Sequence, residues 1–172
     1  LVFAVYEQAG LGHDALAAGL AILPIGIGFF LGPLCGPRIA RRMGSRTAAF
    51  GMILEVLGLA MVAALACAGA PSWLALPLFL IGAGQGIALP ARVRLNVDHV
   101  ETRWAGLASG LVTATLQISA AVSVAMVGGL FISIAPDGAS ARDVRLGFAV
   151  ASLATGAALA LAAGLSWKRQ ET

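Results

Sequence analysis

Glu55 stands in an apolar run, with Leu54, Val56, Leu57 and Leu59 around it. In a helix that crosses a bilayer an ionised carboxylate at such a depth costs about 2.5–3.5 kcal/mol on insertion scales, so it must face a cavity, find a partner or hold a proton. A carboxyl in that setting suits proton-coupled transport, because it can load a proton on one side and release it on the other as its hydration changes. The same residue can equally be a packed, permanently neutral group, or one paired with a base elsewhere in the protein. Gln85 and Gln117 also interrupt apolar runs, and Thr113, Thr115, Ser119 and Ser123 accompany Gln117. Gln85, Gln117 and Thr113 are thereby candidates for hydrogen bonding a substrate in a cavity. Their alternative is to bond across helices, at roughly 0.6 kcal/mol each.

Other chemistry has little to work with. His13-Asp14 is a lone pair with no second His or Cys at metal-ligand spacing. His99 lies in a charged segment suited to solvation, and no nucleophile elbow surrounds any Ser. The phosphate-cradling G-x-x-x-x-G-K-[ST] loop is missing too. No catalytic residue, metal site or cofactor is expected.

The elements that must position Glu55 and the glutamines follow from composition. The chain is 59% hydrophobic and 11% charged, with a mean hydropathy of +0.93. An average soluble domain is roughly 45–50% apolar and about 25% charged. A soluble fold of 172 residues could not hide that much apolar surface. The net charge of +3 would in a soluble protein suggest nucleic acid; here the positive charge is confined to turns between apolar runs, and no nucleic acid partner is expected. The expected fold class is an all-α integral membrane bundle.

Five full spans are expected, over about 15–38, 47–69, 73–92, 104–134 and 146–167. Leu1 to Tyr6 read as the end of a sixth span that began upstream, since a span needs about 20 apolar residues. Asp14 is a suitable N-cap for the first full span, and Pro24 and Pro33 lie within it. Orientation follows from the basic residues. The loops at 38–46, 92–103 and 168–172 hold nine of the eleven, while Arg142 and Arg145 stand alone on the other side. Basic residues in every second loop mark the cytoplasmic side, so the C-terminus is expected inside a multi-pass protein of the cell (inner/plasma) membrane. Cys35 and Cys67 then fall on successive spans at opposite faces, too far apart for a disulfide.

Gly28, Gly32 and Gly36 recur at four-residue spacing in the first full span, Gly82 and Gly86 in the third, and Gly106 and Gly110 in the fourth. In lipid, small residues at this spacing let backbones approach closely, so these faces are expected to be helix-packing seams. The third span carries Gly82-Ala83-Gly84-Gln85-Gly86 between Pro77 and Pro90. Such a segment serves either as a flexible or kinked stretch or as a tight packing face.

Several segments together resemble the C-terminal half of the major facilitator superfamily. They are Tyr6-Glu7-Gln8 closing a helix, Ala18-Gly19-Leu20 with Leu23-Pro24, the turn from Gly36-Pro37-Arg38 to Gly44-Ser45-Arg46, Gly82-x-Gly84-x-Gly86 with Pro90, and Ala105-Gly106-Leu107-Ala108-Ser109-Gly110. Their order matches throughout, and more narrowly the chain resembles the fourteen-helix drug:proton antiporters of the EmrB/QacA type. The basic turn is similar to the superfamily's G-x-x-x-D-R-x-G-R-R cytoplasmic motif. Aligned on Gly44, it puts Pro37 at the leading Gly, Arg41 at the Asp, Arg42 at the Arg and Arg46 at the final basic position. The acid that gates the motif's first-half copy is absent, leaving this loop (Gly36, Arg38, Arg41, Arg42, Gly44, Arg46) to fix topology and pack the turn.

The resemblance implies a helical bundle forming the C-terminal half of a secondary transporter, five full transmembrane helices plus the end of a sixth, with the N-terminal half missing. It implies proton-driven efflux of small hydrophobic or cationic compounds by alternating access, as in multidrug resistance; Glu55 is the proton-coupling candidate by its place within a span. Its partners would be the lipid bilayer, the missing N-terminal half, protons and a small-molecule substrate. An uptake or metabolite carrier of the same superfamily, or a non-transporting membrane scaffold, are the alternatives.

Overall fold

The computed structural model describes residues 3, 8, 14–68, 73–97, 102–136 and 139–168. Apart from Phe3 and Gln8, the closing turn of the expected partial span, the turn at 9–13, Ala70-Pro71-Ser72 and His99 lie outside the described residues. Five helices carry the structure: α1 (Ala15–Met43), α2 (Thr47–Ala68), α3 (Ala75–Val97), α4 (Ala105–Ile134) and α5 (Ala141–Lys168). There is no strand among the described residues. All five helices are long and apolar enough to cross a membrane.

Asp14 caps α1, its carboxylate accepting from the Ala17 N–H at 2.8 Å. The helix does not stop at Arg38, where the expected span ended, but runs to Met43. Arginine is a good helix former and its charge suits the negative end of the helix dipole, so the first basic residue is no reason to stop. What ends α1 is Gly44, at φ 56° and ψ −129°, a conformation a side chain would strain. Its N–H donates to the Ala40 carbonyl. The short 3₁₀ turn Gly44–Arg46 then starts α2, and the buried Thr47 hydroxyl donates to the Gly44 carbonyl at 2.7 Å.

For the same reason α3 continues past Arg92 and Arg94 to Val97. It starts at Ala75 rather than 73, and α4 starts at Ala105 behind a 3₁₀ turn, Thr102–Trp104. The α5 helix begins at Ala141, five residues before the expected 146. Ser140 and Asp143 form a reciprocal cap there: the Asp143 carboxylate accepts from the Ser140 hydroxyl at 2.6 Å and N–H at 3.3 Å, while the Asp143 N–H donates to Ser140 Oγ at 3.3 Å.

The α3 helix lies between α1 and α2, α2 packs on α5, and α5 on α4. Two glycine faces make this order possible. A methyl on Gly32 would sit 2.9 Å from Gly86, one on Gly28 would sit 2.7 Å from the Ala83 nitrogen, and one on Gly82 would strike the Ile25 backbone. On the other side of α3, a methyl on Gly51 would lie 2.6 Å from the Gly84 carbonyl oxygen, and one on Gly58 2.8 Å from that of Pro77. Gly82 and Gly86 thus face α1, and Gly84, half a turn away, faces α2. The glycine-rich segment of α3 is an unbroken helix packed tightly on both sides.

The seam expected at Gly106 and Gly110 is not formed among the described residues, nor does Gly36 meet a neighbour: nothing lies within 4 Å of a methyl at any of the three. The α4 helix reaches its buried residues, Gly128 and Phe131, only near its far end. There Phe131 joins Val62, Ala66, Leu78 and Phe148 in the larger apolar core. A smaller one gathers Ala49, Met52 and Ala88 nearer the basic end.

Candidate functional site

Glu55 is placed by the α2–α3 seam. A methyl on Gly84 would sit 2.8 Å from the Glu55 backbone nitrogen, so the two glycines that bring the helices together also press Glu55 against α3. Its side chain is half-buried. No hydrogen bond or ion pair closes on it among the described residues. The charge of Arg92, two turns beyond Gly84 on α3, acts on it across the seam. The sequence put Arg92 at the mouth of a loop; it lies instead within α3, which continues to Val97.

One turn along α2 from Glu55, Leu59 lines a cavity of about 310 Å³ between α2, α4 and α5. Its wall is largely apolar, with Val124, Val127 and Phe148, and Phe3 lies over one side with its ring centroid 5.9 Å from that of Phe148. Three hydroxyl residues, Ser123, Ser152 and Thr155, interrupt the wall. Ser152 and Thr155 donate to the Phe148 and Ala151 carbonyls at 2.8 and 2.9 Å, which leaves their oxygens free only to accept. Sequence reasoning noted Ser123 but missed Ser152 and Thr155, whose signal was a pair of hydroxyls three residues apart in an apolar span.

Gln85, Thr113 and Gln117 are not brought together around this cavity. All three are exposed, Gln85 on the edge of α3 between its two glycine faces, the others on the open stretch of α4. Thr113 donates its hydroxyl to the Ser109 carbonyl at 2.8 Å, and Thr115 does the same to Leu111.

At the basic end, Arg38, Arg41 and Arg42 are exposed along the last turns of α1, and Arg46 follows in the 3₁₀ turn. Gly44 supplies the reversal between them. Cys35 and Cys67 are free and exposed. No group of three His, Cys, Asp or Glu capable of holding a metal occurs among the described residues.

The family model described as Major Facilitator Superfamily matches residues 1–124. A probable actinorhodin transporter of Streptomyces coelicolor is 30% identical over 165 residues, covering 88% of this chain and 28% of that protein. A methylenomycin A resistance protein of the same organism is 28% identical over 167 residues, covering 95% of this chain and 33% of that protein. The chain thus spans about a third of the length of these curated relatives. No solved structure matches it significantly.

Proposed function

The chain belongs to the Major Facilitator Superfamily, and on that premise we propose that it is the C-terminal half of a proton-coupled exporter of small hydrophobic or cationic compounds. The names of its relatives, a transporter and an antibiotic resistance protein, support reading it as part of a transporter rather than an enzyme, and support export. The observation that carries proton coupling is Glu55: a half-buried acid inside a span, with no hydrogen bond or ion pair among the described residues and the charge of Arg92 across the seam.

In this reading the proton and Arg92 compete for one carboxylate. Ionised Glu55 is attracted to Arg92 and draws α2 toward α3; protonated Glu55 releases that attraction, because a neutral acid holds a cation far less strongly. Water reaching Glu55 from one side and then the other during alternating access would load and unload it. The apolar cavity one turn away suits a hydrophobic compound. Gln85, Thr113 and Gln117 are polar groups available to a compound held between this bundle and the other half. The protein would be multi-pass in the cell membrane with its C-terminus in the cytoplasm, and would need no cofactor.

The test is Glu55→Gln in the full-length protein, with transport measured against pH. Expression and compound binding should persist while the pH dependence of transport is lost, because the amide preserves shape but carries no exchangeable charge. Wild-type proton-driven transport in the Gln variant would remove Glu55 from the mechanism.

A further inference from the structure

Gly28, Gly32 and Gly36 of α1 stand at four-residue spacing against two glycines of α3, Gly82 and Gly86. Two of the three are engaged: a methyl on Gly28 would sit 2.7 Å from the Ala83 nitrogen, and one on Gly32 2.9 Å from Gly86. Gly36, one turn further along the same stripe, has nothing within 4 Å of where its methyl would be. It borders a cavity of about 120 Å³ between α1 and α3, whose wall it shares with Pro33, Pro37, Gly86 and Pro90.

The backbone carbonyls at this seam follow the same four-residue step. The Ile25 carbonyl oxygen lies where a methyl on Gly82 would strike it, and that of Phe29 lies 2.6 Å from where a methyl on Gly86 would sit. Proline has no N–H, so Pro33 leaves the Phe29 carbonyl without its helical donor and Pro37 does the same to the Pro33 carbonyl. Of these two freed carbonyls only that of Phe29 lies against a glycine of α3, where a Cα–H offers a weak hydrogen bond. The contacts of 25 with 82 and of 29 with 86 ascend together, so α1 and α3 run parallel and a slide of four residues preserves the pattern. Gly32 and Gly36 would take the places of Gly28 and Gly32, and the freed carbonyls of Phe29 and Pro33 would lie over Gly82 and Gly86.

We propose that α1 has a second register on α3, one helical turn or about 6 Å toward the N-terminal end of α1, with Gly36 in the seam. Among the described residues α1 packs chiefly on α3, so no other large seam has to break. Its tether to α2 is the turn at Gly44–Arg46. The last turn of α1, closed by the Gly44 N–H bond to the Ala40 carbonyl, lies just beyond Pro37. Four residues that unwind there lengthen from about 6 Å to about 13 Å, which covers the slide. Gly28 would move to the level now held by Pro24, where the helix already carries a proline ring. A second register is a property of the bundle itself and stands whether or not Glu55 carries a proton.

The experiment measures melting temperature for alanine variants of the full-length protein, and the distance between spin labels at Leu20→Cys on α1 and Gln85→Cys on α3 in a background without other cysteines. With one register only, Gly28→Ala is at least as damaging as Gly32→Ala, because its methyl comes closer to the α3 backbone. With two, Gly28 can leave the seam whereas Gly32 stays in it, so Gly32→Ala should lower the melting temperature more. Gly28→Ala should also lengthen the label distance, since Leu20 moves away from Gln85 as α1 slides. Gly36→Ala should keep the wild-type melting temperature and the shorter distance. Gly28→Ala/Gly36→Ala puts a methyl in the seam in either register, and its melting temperature should fall by more than the two single changes together. The proposal is overturned by an unchanged distance in Gly28→Ala, by Gly28→Ala melting at or below Gly32→Ala, or by an additive double variant. Failure of Gly28→Ala to fold where Gly36→Ala folds also overturns it, because the second register leaves the Ala methyl room.

Discussion

Gly44 joins α1 to α2 in a backbone conformation that no other residue adopts without strain, and the basic turn depends on it. Gly44→Ala should lower the stability of the detergent-solubilised full-length protein by about 1–3 kcal/mol, read as a fall in melting temperature. Gly44→Asn should not rescue it, since ψ of −129° lies outside the left-handed helical region that Asn tolerates. Glu55 is the second residue on which much turns. Beside the Gln substitution, Glu55→Leu separates coupling from packing: if the carboxyl only packs, Gln is nearly silent and Leu disturbs the α2–α3 seam, whereas a coupling role makes both variants insensitive to pH. Transport against pH, with melting temperature alongside, distinguishes the two.

Among the elements, α3 is the one most constrained, because both its flat sides carry backbone contacts. Gly84→Ala would put a methyl 2.5 Å from the Gly51 carbonyl oxygen, and neither helix can yield without disturbing the α1 face of α3. It should cost about 1–3 kcal/mol or more. Gly26→Ala, where nothing lies within 4 Å, should stay within about 0.5 kcal/mol of wild type. Thermal unfolding of the two variants checks the contrast. At the start of α5, Ser140→Ala removes the oxygen that accepts from the Asp143 N–H and the hydroxyl that donates to its carboxylate. A loss of about 1 kcal/mol is expected, with fraying of the first turn visible as faster amide exchange near Arg142.

For the whole molecule the governing fact is an outer surface as apolar as a core. Phe30, Leu107, Leu111, Met126 and Leu161 are between 68% and 71% exposed, which water would not permit at that density but lipid or another helical bundle does. Orientation in that lipid is set by charge. Neutralising Arg41, Arg42 and Arg46 should lower correct insertion more than neutralising Arg142 and Arg145, measured by protease accessibility of the loops. The exposed Cys35, three residues from Arg38, should react with impermeant thiol reagents from the cytoplasmic side. Exclusive modification from the outer side would reverse the proposed topology.

Membrane class, the five full spans and family were legible in the residues themselves, because each rests on a local property. Apolar runs of span length make helices in lipid whatever they pack against, and the motif residues from Gly36 to Arg46 keep their spacing in any conformation. Helix ends were less legible. Charge alone reads as a stop signal, whereas backbone geometry at Gly44 marks the end of α1 and the Ser140 cap the start of α5; the Ser-x-x-Asp spacing that announces that cap is present at 140–143. Glycine spacing marked faces able to pack, but not their partners. That Gly82 and Gly86 meet α1, that Gly84 meets Gly51 on α2, and that Gly106 and Gly110 meet nothing among the described residues depends on how the helices are ordered. The sequence singled out Glu55 by its cost in lipid. Only the tertiary structure set Arg92 across the seam and a cavity one turn away, because such neighbours come from residues far apart in the chain brought together by packing.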